Sequence, residues 1–194
     1  MGLPAPEPAI DVADTETSGA LSHVGKSWPV DGRVVGIVVD HATPESTVGP
    51  LVADGHQAGM SPVLVSPTGG FLADGSPVDR FLTARSVECD AVILAAAPQP
   101  GPDAHPDLDG KAGAVVPPDA AGIDPRLVLL LQETYRQAKA IVLAGPGSGC
   151  LAAAGLPTAG PGIVEADVEA AVTEVVGLVA NHRVWERFGS PAAP

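Results

Sequence analysis

The sequence predicts an α/β domain, a doubly wound, mainly parallel sheet sandwiched by helices. Two observations carry this. Continuous aliphatic runs such as RVVGIVV (33–39) and AIVLA (140–144) suit strands covered on both faces. They alternate with stretches of helical period, as at 125–139 and 167–188, and that alternation implies a parallel sheet. The chain has 194 residues, enough for one such domain with its own core. Aromatic residues make up only 3%, so Val, Leu, Ile and Ala must fill that core.

Residues 1–29 are rich in Pro, Ala, Ser and acids, show neither period, and read as a linker or extended segment. The first strand is expected at 33–39. A helix follows within 44–59, where Pro50 either starts it or kinks it, because proline has no amide hydrogen for an interior turn. SPVLVS (61–66) is a second strand, 69–78 a small hairpin around Asp74-Gly75, and CDAVILAAA (89–97) a third, buried strand. The stretch 98–123, crowded with Pro, Gly and Asp, is a long loop.

Asp124-Pro125 then opens a helix over 125–139: Asp accepts orphan amide hydrogens and Pro suits the first helical position. The fourth strand, 140–144, runs into a glycine-rich turn and a short helix to Gly155. A fifth strand or edge is expected at 160–166. A closing helix spans 167–188, with acids early and His182, Arg183 and Arg187 late, as the macrodipole favours. Residues 189–194 read as a frayed tail, leaving 30–188 as the domain proper.

The formal charge of −13 argues against a nucleic-acid partner, since phosphates would be repelled, and scarce aromatics argue against base stacking. No apolar run reaches the roughly 18 residues of a membrane span. The first residues lack the basic and apolar regions of a secretory signal, so the expectation is a soluble, cytoplasmic protein. Cys89 and Cys150 form no framework or metal spacing and read as small buried side chains.

In such a sheet a site lies at the carboxyl ends of strands, here Asp40 and His41, Ala95 to Ala97, and Gly145 to Ser148. The turn GPGSGC (145–150) has no lysine for a Walker A loop and carries Cys150 where a dinucleotide fingerprint needs glycine. Ser148 is flanked at two residues by Pro146 and Cys150, so it makes no Gly-x-Ser-x-Gly elbow. Amides at Gly147 to Gly149 would hold an anion only weakly. Asp40 beside His41 is the pairing that could orient an imidazole, but neighbours at a strand end point apart, and a solvated loop pair is expected. His23, His56 and His105 are isolated. Asp11, Asp14, Glu16, Asp103, Asp107 and Asp109 read as solvating charge, without the remaining positions of an EF-hand.

Three phrases in one order carry a resemblance: SVECDAVIL (86–94), LLLQETYRQAKAIVLAGPGSGCLAAAGL (129–156) and VANHRVWERF (179–188). Together they closely resemble the C-terminal domain of large-subunit haem catalases, over approximately 30–188, and GLPAPEP (2–8) resembles the segment joining the catalase core to that domain. The resemblance implies a flavodoxin-like fold related to the class I glutamine amidotransferase-like superfamily of proteases, chaperones and deglycases. Active members of that superfamily place a cysteine at the tip of a strand-turn-helix elbow. The matching position is Gly145, followed by Pro146 and by Gly147 where the family's usual glycine falls. Where active members have oxyanion-hole glycines, this chain has Ala95, Ala96 and Ala97.

The expected elbow is therefore vestigial, with no catalytic, cofactor-binding or metal-ligating residue in this chain. The haem machinery is not recognisable either: the sole tyrosine, Tyr135, follows Leu131 where the family's tyrosinate helix carries Arg. What the resemblance implies is a structural domain that packs on a haem-containing catalase core within a tetramer, with peroxide decomposition and haem belonging to the parent. Two alternatives from other classes are a chaperone-like holder of unfolded clients and a residual hydrolase or deglycase using Cys150 or Ser148 with His41. A small-molecule binder at the strand ends also stays open.

Overall fold

The computed structural model describes residues 18–67, 69–96, 123–145 and 147–188. Its strands are β1 (Val34–Val38), β2 (Ser61–Ser66), β3 (Arg80–Phe81), β4 (Ala91–Leu94), β5 (Ala140–Leu143) and β6 (Ile163–Glu165). Its helices are α1 (Glu45–Gln57), α2 (Pro125–Arg136), α3 (Ser148–Ala153) and α4 (Val168–Val179). The strands form one sheet in the order β3-β2-β1-β4-β5-β6, and every pairing is parallel. Without the two-residue β3 the order is the 2-1-3-4-5 of flavodoxin-like folds, with the direction of winding reversing between β1 and β4.

Both faces of the sheet are covered, which is why the strands are continuously apolar. Val35, Ile37 and Val39 join Ala91, Ile93, Ala140 and Val142 on the face packed by α1 and α4. Val38, Val92, Leu94, Ile141 and Leu143 fill the other face against α2 and α3. The α2 cap forms as its sequence demands: Asp124 accepts the amide of Arg126 at 2.8 Å, and Pro125 follows it.

Several boundaries differ from the expectation. Of its two expected places, Pro50 does not start α1 but lies inside it, past the first turn. The 69–78 hairpin reduces to a single antiparallel bridge between Phe71 and Pro77, around a turn held by Asp74 Oδ1 accepting the Ser76 amide. Pro77 has no amide hydrogen with which to extend a ladder. The chain continues instead into β3, whose two residues are too few to show a period and which pairs with the end of β2. The third strand stops at Leu94 rather than Ala97, because the chain bends back on β1 there.

The helix after Asp124 ends at Arg136, and Ala138 at φ +54° reverses the chain into β5. The closing helix ends at Val179 rather than 188. His182 takes φ +67°, the Val184 amide donates to Ala138 O at 2.7 Å, and Trp185–Phe188 form a 3₁₀ turn. Arg187 pins that turn, donating to Pro161 O, Tyr135 O and Lys139 O. Tertiary hydrogen bonds thus outweigh continued helix, and Arg183 and Arg187 are not cations of the α4 terminus. The long loop expected at 98–123 lies outside the described residues except for buried Ile123, as do most of the 1–29 segment and all of the tail.

Candidate functional site

The carboxyl ends of β1, β4 and β5 converge at the turn that opens this site. Ala144 donates its amide to Leu94 O at 2.9 Å and brings Gly145 to the lip of the sheet. Gly147 donates to Gly145 O at 2.7 Å and caps α3 with helical dihedrals. A side chain at Gly147 would stand 3.1 Å from Leu143 Cδ2 and 3.2 Å from Leu94 Cβ, so glycine there permits close helix-on-strand packing. Gly145 does not take a positive φ, whereas a nucleophile elbow is a sharp, strained turn. A Cβ on Gly145 would meet Ala95 O at 3.3 Å. Pro146 and Ala97 lie outside the described residues.

An oxyanion hole needs amide hydrogens free to meet a developing charge. Ala95 and Ala96 both direct theirs to Val38 O, at 3.0 and 3.2 Å. The donors that sequence left open at these two positions are thus committed to holding β4 against β1.

The other candidate groups are not brought together. Asp40 Oδ1 accepts from the Ala42 amide and the Thr43 hydroxyl, both at 2.9 Å, so this carboxylate organises the turn after β1. His41 is exposed, with Nδ1 3.1 Å from Phe71 O, tied to a loop whose Leu72 packs on the α1/α4 side. Cys150 is the third residue of α3 and is buried in the opposite layer, among Leu127, Leu131 and Leu151. His41 is thus held by a loop on the α1/α4 side, while Cys150 packs in the α2/α3 layer. Cys89 is buried too, and burial pushes its thiol up to about 11 against the pull of Lys139, away from the thiolate a nucleophile requires. An open crevice of about 750 Å³ adjoins Gly145, bordered by Ser46, Glu165, Asp167, Glu169 and Glu174. Among the described residues its charged lining is carboxylate, with the Ser46 hydroxyl as the one other polar side chain and no cysteine.

Two features escaped the sequence reading. Lys139, expected to close a helix, is buried, and its ammonium donates to Ser86 O and, at 2.6 Å, to Cys89 O. A lysine directly before a buried strand was the available signal. His23, expected to stand alone, stacks on Trp28 at 4.7 Å between ring centres and lies 5.2 Å from His182, whose ring adjoins Trp185. His56 is exposed at the end of α1, and His105 lies outside the described residues.

A family model for the C-terminal domain found in long catalases matches residues 31–189. The chain belongs to that family. A search of the curated proteins gives no match. The family's parent enzymes hold haem in their core, and this domain's only tyrosine does not fit the role of haem ligand. Tyr135 sits on α2 with the Arg187 guanidinium 4.2 Å over its ring, inside the packing that fastens the end of the domain. Among the described residues no group of three or more His, Cys, Asp or Glu side chains could hold a metal ion, and no helix is long and apolar enough to cross a membrane.

Proposed function

We propose that this domain is a non-catalytic structural module of a long catalase: it packs on the haem core, stabilises the oligomer and shapes access to the core. The single observation that carries the reading is the state of the elbow. Position 145 offers no side chain, and the facing amides of Ala95 and Ala96 are spent on Val38 O. Covalent acyl chemistry needs both an attacking atom and donors aimed at the charge it creates. Cys150 and Cys89, the two thiols of the chain, are both buried. What the family supplies beside that lip is a parent whose peroxide chemistry lies elsewhere in the polypeptide.

The test is direct. The purified chain, offered haem and then peroxide, is expected to show no Soret band after desalting and no peroxide decomposition above buffer. Removing the domain from a long catalase is expected to lower the thermal stability of the oligomer. Turnover by the chain alone, or an oligomer indifferent to the domain's loss, overturns the proposal.

A further inference from the structure

The two layers that cover the sheet differ in electrostatic character, one acidic and the other a mixture of paired charges. Helices α1 and α4 contribute Glu45, Asp54, Glu169 and Glu174 and no lysine or arginine. The other layer brings Arg80 on β3, Arg85 at the Ser86–Glu88 turn, and Arg126 and Arg136 on α2. Three of these arginines have carboxylate partners, and in each pair the guanidinium is the more exposed member. Arg85 is 58% exposed over Glu133 at 14%, Arg126 is 22% exposed over Asp124 at 1%, and Arg80 likewise exceeds Glu88. The carboxylates are drawn inward to hold backbone amides, Glu133 that of Ser86 and Asp124 that of Arg126. On a chain of net charge −13, this face therefore turns guanidinium groups toward solvent.

Between the arginines lies exposed apolar surface. Phe81, Val87 and Leu129 are among the large hydrophobic side chains left in the open. Leu129, with Leu82, Ala84, Leu130, Arg85 and Arg126, borders a groove of about 190 Å³, room for an aliphatic side chain. Arginine and aromatic residues around an apolar centre are the composition of protein interfaces. Unused guanidinium donors favour carboxylates.

We infer that the face made by β3, the Ser86–Glu88 turn and α2 is the docking surface of this domain for an acidic patch, bearing an aliphatic anchor, on the haem core. This inference rests on the structural reading proposed above. The carboxylate-only α1/α4 layer sets the orientation, since the same acidic patch would repel it.

The experiment mixes this chain with the haem core of a long catalase prepared without its C-terminal domain and checked for an intact Soret band. Affinity is measured by calorimetry and the contact surface by hydrogen exchange. Expected are protection at residues 80–88 and 125–133 and weaker binding at high salt. Leu129→Gln, which alters an exposed helical position, and Arg85→Glu should each lower affinity at least about tenfold, while Glu169→Gln leaves it unchanged. Protection confined to other residues, or affinity unaffected by Leu129→Gln and Arg85→Glu, overturns this face while leaving the structural reading standing. No binding at all overturns both.

Discussion

Replacing Lys139 by Met removes a charge from the interior while keeping its length. The Lys139 ammonium holds the carbonyls of Ser86 and Cys89, fastening the turn before β4 to the start of β5. Both acceptor residues are buried, so water cannot easily take its place. A buried acceptor left unsatisfied costs about 1–3 kcal/mol. Cys89 O loses its ammonium outright while Ser86 O keeps the Cys89 amide at 3.1 Å, so the net, less the relief of no longer burying an ammonium, should be about 1–2 kcal/mol. With a urea dependence of about 2 kcal/mol per molar, the unfolding midpoint of Lys139→Met should fall by about 0.5–1 M.

The pH dependence gives an independent check on the same residue. Burial, then Arg183, holds the Lys139 ammonium below its ordinary value of 10.5. The unfolded chain binds that proton more tightly, so wild-type stability gains a rising contribution as pH climbs from the lowered value toward 10.5. The neutral amine still has two hydrogens for the same carbonyls. The Met variant lacks this rise, and the difference between the two proteins isolates it. A midpoint within about 0.3 M of wild type, or identical pH profiles, would refute the reasoning.

Gly162→Ala tests a crowded, left-handed position: at φ +70° a Cβ would fall 2.2 Å from Val184 Cγ2. With about 1–2 kcal/mol for the backbone and 1–3 for overpacking, the melting temperature should drop by many degrees. The thiols of Cys89 and Cys150 are both buried, so at pH 8 a disulfide reagent should modify native protein only as fast as it opens; a rapid one-thiol burst would contradict that burial. Burial first, then Arg183, Arg33 and His23, lowers the His182 pKa below 6.5. As pH falls below 6.5 the unfolded imidazole takes its proton first, so stability present above that pH is lost toward the folded value. Emission from Trp28 and Trp185, whose rings lie within 6.3 Å of His182, should follow this loss in denaturation series, and His182→Gln should flatten it.

The course of the fold was legible where the physics is local. Strands covered on both faces need aliphatic runs, and 34–39, 63–65 and 140–144 display them. Asp124 and Pro125 announce a helix start by chemistry that acts within one turn. Helix ends were less legible. Asn181, whose side chain donates to Gly177 O, is a weak local stop for α4; the Val184 amide meeting Ala138 O and Arg187 reaching Tyr135 O and Lys139 O fix the turn from distant parts of the chain. Likewise β3 is too short to carry a pattern, and Pro77 is compatible with either a hairpin edge or a bridge.

The candidate site divides along the same line. That Gly145 carries no nucleophile is a matter of residue identity, and no arrangement of the chain can change it. Whether Ala95 and Ala96 present their amides to a ligand or to Val38 O depends on how β4 bends after Leu94, a question of pairing between segments far apart in sequence. Composition likewise set the net charge, but its segregation into a carboxylate layer and a guanidinium-facing layer arose only when the sheet sent α1 and α4 to one side and α2 to the other. Residue chemistry acts over one turn or one strand and is written in order along the chain. Burial, hydrogen-bond partners and surface charge depend on neighbours that only the packed sheet brings together.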